Sequence, residues 1–158
     1  MKKKQYILNE PIDIDFKIIG LVTDLDHVEC CYVVNKCLGS TFGRALQDVE
    51  LLHKKDWLFF PTYTYKDRLK NINWVLLKNG SAPDEKYKSL FTDVERIKSD
   101  LLYLISDRKD VDYFLIFHPP YYPQELNEMK ENLRQIDQFG AVFQIDVNGL
   151  EHPDYLLT

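Results

Sequence analysis

Glycine is scarce in this chain, with six in 158 residues. Loops that cradle phosphates are built from clustered glycines, and neither a Gly-rich nucleotide loop nor a Gly-x-Ser-x-Gly elbow occurs here. Concentrated positive charge is also missing. At net charge -5 and an isoelectric point near 5.4, the chain lacks the basic face that neutralising phosphates requires, so no nucleic-acid partner is expected. Its one basic run, Lys2-Lys3-Lys4, reads as a solvated tail. Long apolar runs are absent too: Asn9, Glu10, Asp13 and Asp15 interrupt the stretch where a signal peptide would need its apolar core, and nothing approaches the roughly 20 residues of a membrane span. A soluble, cytoplasmic protein is expected. Cysteine is limited to Cys30, Cys31 and Cys37, an odd number in one short stretch, which suits a reducing compartment and buried free thiols better than a disulfide framework. With no second ligand cluster and four scattered histidines, no metal or other cofactor is expected.

What the chain does have is apolar and aromatic mass. Hydrophobic residues make up 45%, and ten Tyr with nine Phe supply large rings suited to a sheet packed into one core. Residues 16–22 read as a short strand, with Gly20 marking a bulge or a close backbone approach. A helix over 24–38 follows, capped by Thr23, Asp24 or Asp26 and closed by Gly39 in a left-handed cap. Three strands are predicted at 44–52, 57–65 and 71–78 as an antiparallel meander, the middle one at an edge or bulged because Pro61 cannot donate to a ladder. Residues 79–89 read as a mobile polar loop and 1–15 as a partly flexible N-terminal segment. Leu101–Ile105 and Val111–Phe117 are predicted to form a hairpin bent at Ser106–Asp110. A helix then starts at Pro123, with Leu126, Met129, Leu133 and Ile136 on one face, and stops at Gly140; 141–146 is a last strand. These elements predict a single α+β domain over 1–158, a two-layer sandwich of a mainly antiparallel sheet with two amphipathic helices on one face.

The stretch from Ile105 to Tyr113 carries the most distinctive pattern: Ile105, Asp107, Val111, Asp112 and Tyr113 at fixed spacing before the apolar Phe114-Leu115-Ile116-Phe117. Asp107 or Ser106 can accept amides within the bend, and residues 111, 113, 115 and 117 share one strand face. Apolar residues on both faces predict a central strand. This pattern resembles the signature of the IPExxxVDY family of small bacterial proteins, with Ser106 in place of proline and Asp107 in place of glutamate. Ile19-Gly20, Asp26, Asn35-Lys36, Ile145-Asp146 and the closing Asp154-Tyr155-Leu156 extend the likeness. The resemblance implies a single cytoplasmic domain with no cofactor and no assigned catalytic residue.

Three functional readings emerge. The first is a non-enzymatic scaffold or protein-protein interaction domain, its partner a second copy or an unidentified protein. Its contact residues would be the loop Pro119-Pro120-Tyr121-Tyr122-Pro123 and the aromatics Trp57, Phe59 and Tyr63, because rigid Tyr beside Pro offers contact area at low entropic cost. The second is a metal-dependent or acid-base enzyme drawing Asp24, Asp26, Asp112 and His118 from strand ends. Against it, capping alone accounts for Asp24 and Asp26. The third is a small-ligand sensing domain of ferredoxin-like outline, suggested by two β-α-β-like units.

Overall fold

The computed structural model of the chain describes residues 14–81 and 102–157. Most of the expected N-terminal segment 1–15, residues 82–89 of the expected loop, and Leu101 lie outside them. The described elements are β1 (Lys17–Thr23), α1 (His27–Leu38), β2 (Gly43–Arg44), β3 (Val49–His53), β4 (Asp56–Phe60), β5 (Thr62–Asp67), β6 (Ile72–Lys78), β7 (Tyr113–Phe117), α2 (Pro123–Arg134) and β8 (Phe139–Ile145). Six strands form one sheet in the order β2-β5-β6-β7-β1-β8, and every pairing in it is antiparallel. The α+β class read from the sequence is the class of the molecule.

Both helices lie on the same face. Cys30, Cys31 and Val34 of α1 and Leu126 and Leu133 of α2 share one apolar cluster with Ile19, Leu21, Leu76, Leu115 and Phe117 of the sheet. Asp26 is the residue that caps α1, its Oδ1 accepting the Glu29 amide at 2.8 Å, and Gly39 closes the helix at φ 62°. The second face is also buried. Phe114 and Ile116 pack there with Phe60, Leu104, Ile105, Val111, Val147, Leu150 and Leu156, so β3–β4, the segment before β7 and the C-terminal tail form a further, non-helical layer. That arrangement explains β7, in which all five residues are buried.

The connections form two split units. The strands of β1-α1-β6 are separated in the sheet by β7, and those of β7-α2-β8 by β1, the pattern of a β-α-β-β-α-β fold with β2–β5 inserted after α1. The parallel partner of β1 is therefore β6, and 44–52 does not form one strand. It splits into β2 and β3, and β3 pairs with β4 in a separate two-stranded hairpin. Residues 57–65 also split, because Pro61 has no amide to donate: the chain leaves the hairpin at Phe60 and enters the main sheet at Thr62. Gly20 is a close approach, since a Cβ there would stand 2.7 Å from Ile145 Cδ1 and 3.3 Å from Val111 Cγ1; the irregularity falls instead at Val22/Thr23. Gly140 does not end α2. The helix stops at Arg134, where the Gln135 amide bonds back to the Asn132 carbonyl, and Gly140 lies inside β8. Arg134 Nε reaches the Val142 carbonyl at 2.8 Å, tying the helix end to that strand.

The expected 101–105/111–117 hairpin is replaced by a different device. Residues 102–105 form no strand, their one β-type pairing among the described residues being a bridge between Gly80 and Tyr103, and Ser106–Arg108 is a 3-10 turn with no side-chain cap. Asn79, expected to open a mobile loop, is fully buried and holds this segment. Its Nδ2 donates to the Arg108 and Val111 carbonyls, both at 2.9 Å, and its Oδ1 accepts the Ile105 amide at 2.9 Å. Its backbone donates to the Asp112 carbonyl at 2.9 Å and accepts from the Leu104 amide at 2.8 Å. Gly80 and Ser81 are buried beside it. Asp107 does not fix the bend; its Oδ2 accepts the Glu151 amide at 3.2 Å and so pins the C-terminal tail. No helix among the described residues is long and apolar enough to cross a membrane.

Asn79→Ala leaves the Ile105 amide and the Val111 carbonyl without partners and removes one of the two donors to the Arg108 carbonyl, which still accepts the Val111 amide. At about 1–3 kcal/mol for each orphaned group, it should lower unfolding free energy in urea by about 2 kcal/mol or more. Asn79→Asp should do comparable damage, because a carboxylate cannot donate to the two carbonyls. An Asp variant as stable as the parent would contradict this assignment.

Candidate functional site

The polar residues singled out in the sequence separate into three places. At the end of β1, Thr23 donates its amide to Asp112 Oδ2 at 2.9 Å and its hydroxyl to the Gln138 carbonyl at 2.7 Å. Asp112 donates its own amide to the Leu21 carbonyl at 2.9 Å. Its carboxyl thus finishes the β1/β7 ladder. Burial pushes the Asp112 pKa up, the Thr23 amide opposes this, and Asp24 nearby adds to it. Tyr113 donates its hydroxyl to the Leu25 carbonyl at 2.7 Å, and burial raises its pKa. Asp26 is committed to the helix cap, and Asp24 is exposed. Cys30 lies beneath them, fully buried, with burial pushing its thiol far up; such a thiol is inert.

Beside this cluster sits a group that the sequence did not signal. His27 Nδ1 lies 2.7 Å from Tyr63 Oη and 3.2 Å from Arg44 Nη1. A guanidinium only donates, so Nδ1 is the acceptor and the neutral ring carries its proton on Nε2. Asp48 grips Arg44 through two contacts, of 3.1 and 2.6 Å, and also accepts the Thr62 amide at 3.1 Å. Burial, then Arg44 and Lys78, lower the His27 pKa against the opposing pull of Asp26 and Asp48. The four residues come from α1, β2, the loop after it and β5, spacings that carry no local pattern. Their work is to fasten the two-residue edge strand β2 to α1.

His118 lies at the other end of β7. Five strand residues separate it from Asp112, about 20 Å at strand rise, so Asp24, Asp26 and Asp112 are not joined by His118 in one site. Its ring meets Phe16 edge-on at 5.8 Å, and its Nε2 is buried with no hydrogen-bond partner among the described residues. Burial lowers its pKa; Asp15 opposes this and Lys66 assists. Beyond it, Pro119 and Pro120 are exposed, Tyr121 is half-buried under the Lys17 ammonium, 5.8 Å from the ring centroid, and Tyr122 is exposed just before Pro123 opens α2. Among the described residues, no group of three or more His, Cys, Asp or Glu side chains could hold a metal ion.

The second aromatic group also divides. Tyr63 is buried on the helix side, whereas Trp57 and Phe59 point outward from β4. In the β3–β4 register Leu52 faces Trp57 and Glu50 faces Phe59, and directly opposed residues share a face. The inner face presents Val49, Leu51, Leu58 and Phe60 to the core. The outer face leaves Leu52 53%, Trp57 57% and Phe59 37% exposed. Comparison of the chain with family models, with curated proteins and with solved structures returned no match.

Both His27 and His118 titrate below the ordinary value of 6.5, so the unfolded chain takes up these protons first and stability should fall as pH drops through 6.5. Asp112, raised rather than lowered, acts in the opposite sense and nearer its ordinary 3.8. Urea midpoints between pH 7.5 and 6.0 should decrease. His118→Phe should add about 1 kcal/mol at pH 7.5 by removing a buried unpaired group, and should flatten the profile. A midpoint that rises on acidification over this range would contradict both assignments.

Proposed function

We propose that the protein is a cytoplasmic, non-enzymatic interaction domain that associates through the outer face of the β3–β4 hairpin, and that its occupant is a second copy of the chain. One observation carries this reading: three large apolar side chains, Leu52, Trp57 and Phe59, lie exposed on one face of a hairpin whose opposite face is committed to the core. Aromatic anchors surrounded by polar residues are typical of energetically dominant contacts. The hairpin tip carries Lys54 and Lys55 beside the single acid Asp56, and Glu50 lies toward the base. A two-fold arrangement sets like patches against each other, and with the hairpins antiparallel each basic tip meets the other copy's acidic base. The likeness to the IPExxxVDY family belongs to this proposal as a likeness of fold: Ile105, Val111 and Tyr113 are buried in the core, and Asp112 closes the β1/β7 ladder. The acid-base enzyme using Asp24, Asp26, Asp112 and His118 is the weaker reading, because the strand β7 stands between its acids and its imidazole.

Sedimentation velocity should give a concentration-dependent dimer for the parent chain and a monomer for Trp57→Ser, with the thermal midpoint within a few degrees of the parent. A parent that stays monomeric at about 100 µM, well above the Kd of a specific dimer, would overturn self-association. Capture of a different protein by the parent, lost in Trp57→Ser, would overturn the choice of occupant.

A further inference from the structure

At the end of the sheet where β1 begins and β8 finishes, beside the loop leading into α2, lies a cavity of about 420 Å³. Its size is that of a small-molecule site. The lining is charged at Asp15, Lys17 and Asp146, with the Tyr121 ring as one wall; Phe16, Ile145 and Val147 also border it, but their side chains are buried in the second-face core. Ile18 pairs with Ile145, so in an antiparallel ladder Lys17 stands opposite Asp146 on the same face. The two do not form an ion pair, and Asp15, Lys17 and Asp146 are absent from the three salt bridges among the described residues. The Lys17 ammonium is over the Tyr121 ring instead. Asp146 Oδ1 accepts the Asn148 amide at 3.0 Å, which leaves its second oxygen available.

We infer that this cavity binds a small zwitterion, namely a free α-amino acid with an aromatic or large aliphatic side chain. The carboxylate of such a ligand pairs with Lys17, its ammonium with Asp146 or Asp15, and its side chain lies along the Tyr121 ring. Two carboxylates against one ammonium make the site net negative, which opposes nucleotides and other polyanions. A simple amine would leave Lys17 unanswered, and a simple carboxylate would face two acids. The site is independent of the hairpin face and does not require the chain to dimerise.

The test is an amide-resolved NMR titration of the full chain with L-phenylalanine and L-leucine, alongside phenylethylamine, 3-phenylpropionate and ATP. Saturable shifts confined to Lys17, Tyr121, Gln144 and Asn148 are expected with the amino acids, and about tenfold weaker binding of either half-ligand. Lys17→Met and Asp146→Asn should each weaken L-phenylalanine about tenfold while leaving the spectrum of β7 unchanged. No saturable shift at about 20 mM ligand would overturn the inference. So would phenylethylamine or ATP binding as tightly as the amino acids, or unchanged affinity in both variants when their spectra remain folded.

Discussion

The Asn79 side chain is the contact on which the rest of the structure depends. Fully buried at the end of β6, it satisfies three backbone groups of the Ile105–Val111 segment while its own backbone bonds to Leu104 and Asp112. A buried amide with all its groups satisfied is highly directional, since any other path of the chain would leave several groups unpaired. That path delivers Ile105 and Val111 into the core of the second face and sets Asp112 where it can close the β1/β7 ladder. Once β7 is fixed between β6 and β1, both layers have a floor to pack on: helices above, and the hairpin, turn and tail below.

Other short polar residues repeat the device on a smaller scale. Asn35, within α1, donates to the Phe42 carbonyl at 3.0 Å and accepts the Phe42 amide at 2.7 Å and the Ser40 hydroxyl at 2.9 Å, so the chain leaves the helix in a defined direction. Thr62 donates to the Phe60 carbonyl and accepts the Val49 amide, which locks the hairpin to the sheet at the point where Pro61 interrupts the strand. Asp107 reaches across to the tail. The most recognisable residues of this sequence are thus consumed by folding, which leaves function to surfaces whose residues make no such bonds.

Local pattern revealed what local physics determines. Alternation located β6, short apolar runs located β1 and β7, Gly39 with a cap among Thr23, Asp24 and Asp26 bounded α1, and the i, i+3, i+7 spacing of Leu126, Met129 and Leu133 found the buried face of α2. Boundaries and pairings that depend on distant partners were not legible. Asn79 in the sequence sits among turn-forming residues and looks solvated; only its long-range contacts, with partners 26 to 32 residues away, make it a core residue. The His27–Tyr63–Arg44–Asp48 group was hidden for the same reason. Trp57 and Phe59 could be named as aromatic, but the face they occupy depends on the break at Pro61, which sends β4 out of the main sheet.

If Asn79 organises the fold, the Leu104–Asp112 segment unfolds with the central strand rather than as a surface loop. Native-state hydrogen exchange measures this directly. The amides of Leu104, Ile105 and Asp112 should exchange with those of Phe114, Leu115 and Ile116 in one cooperative, denaturant-dependent opening of the same free energy. Exchange of Leu104 and Ile105 through a low-energy opening that denaturant does not affect, while β7 remains protected, would contradict that role of Asn79.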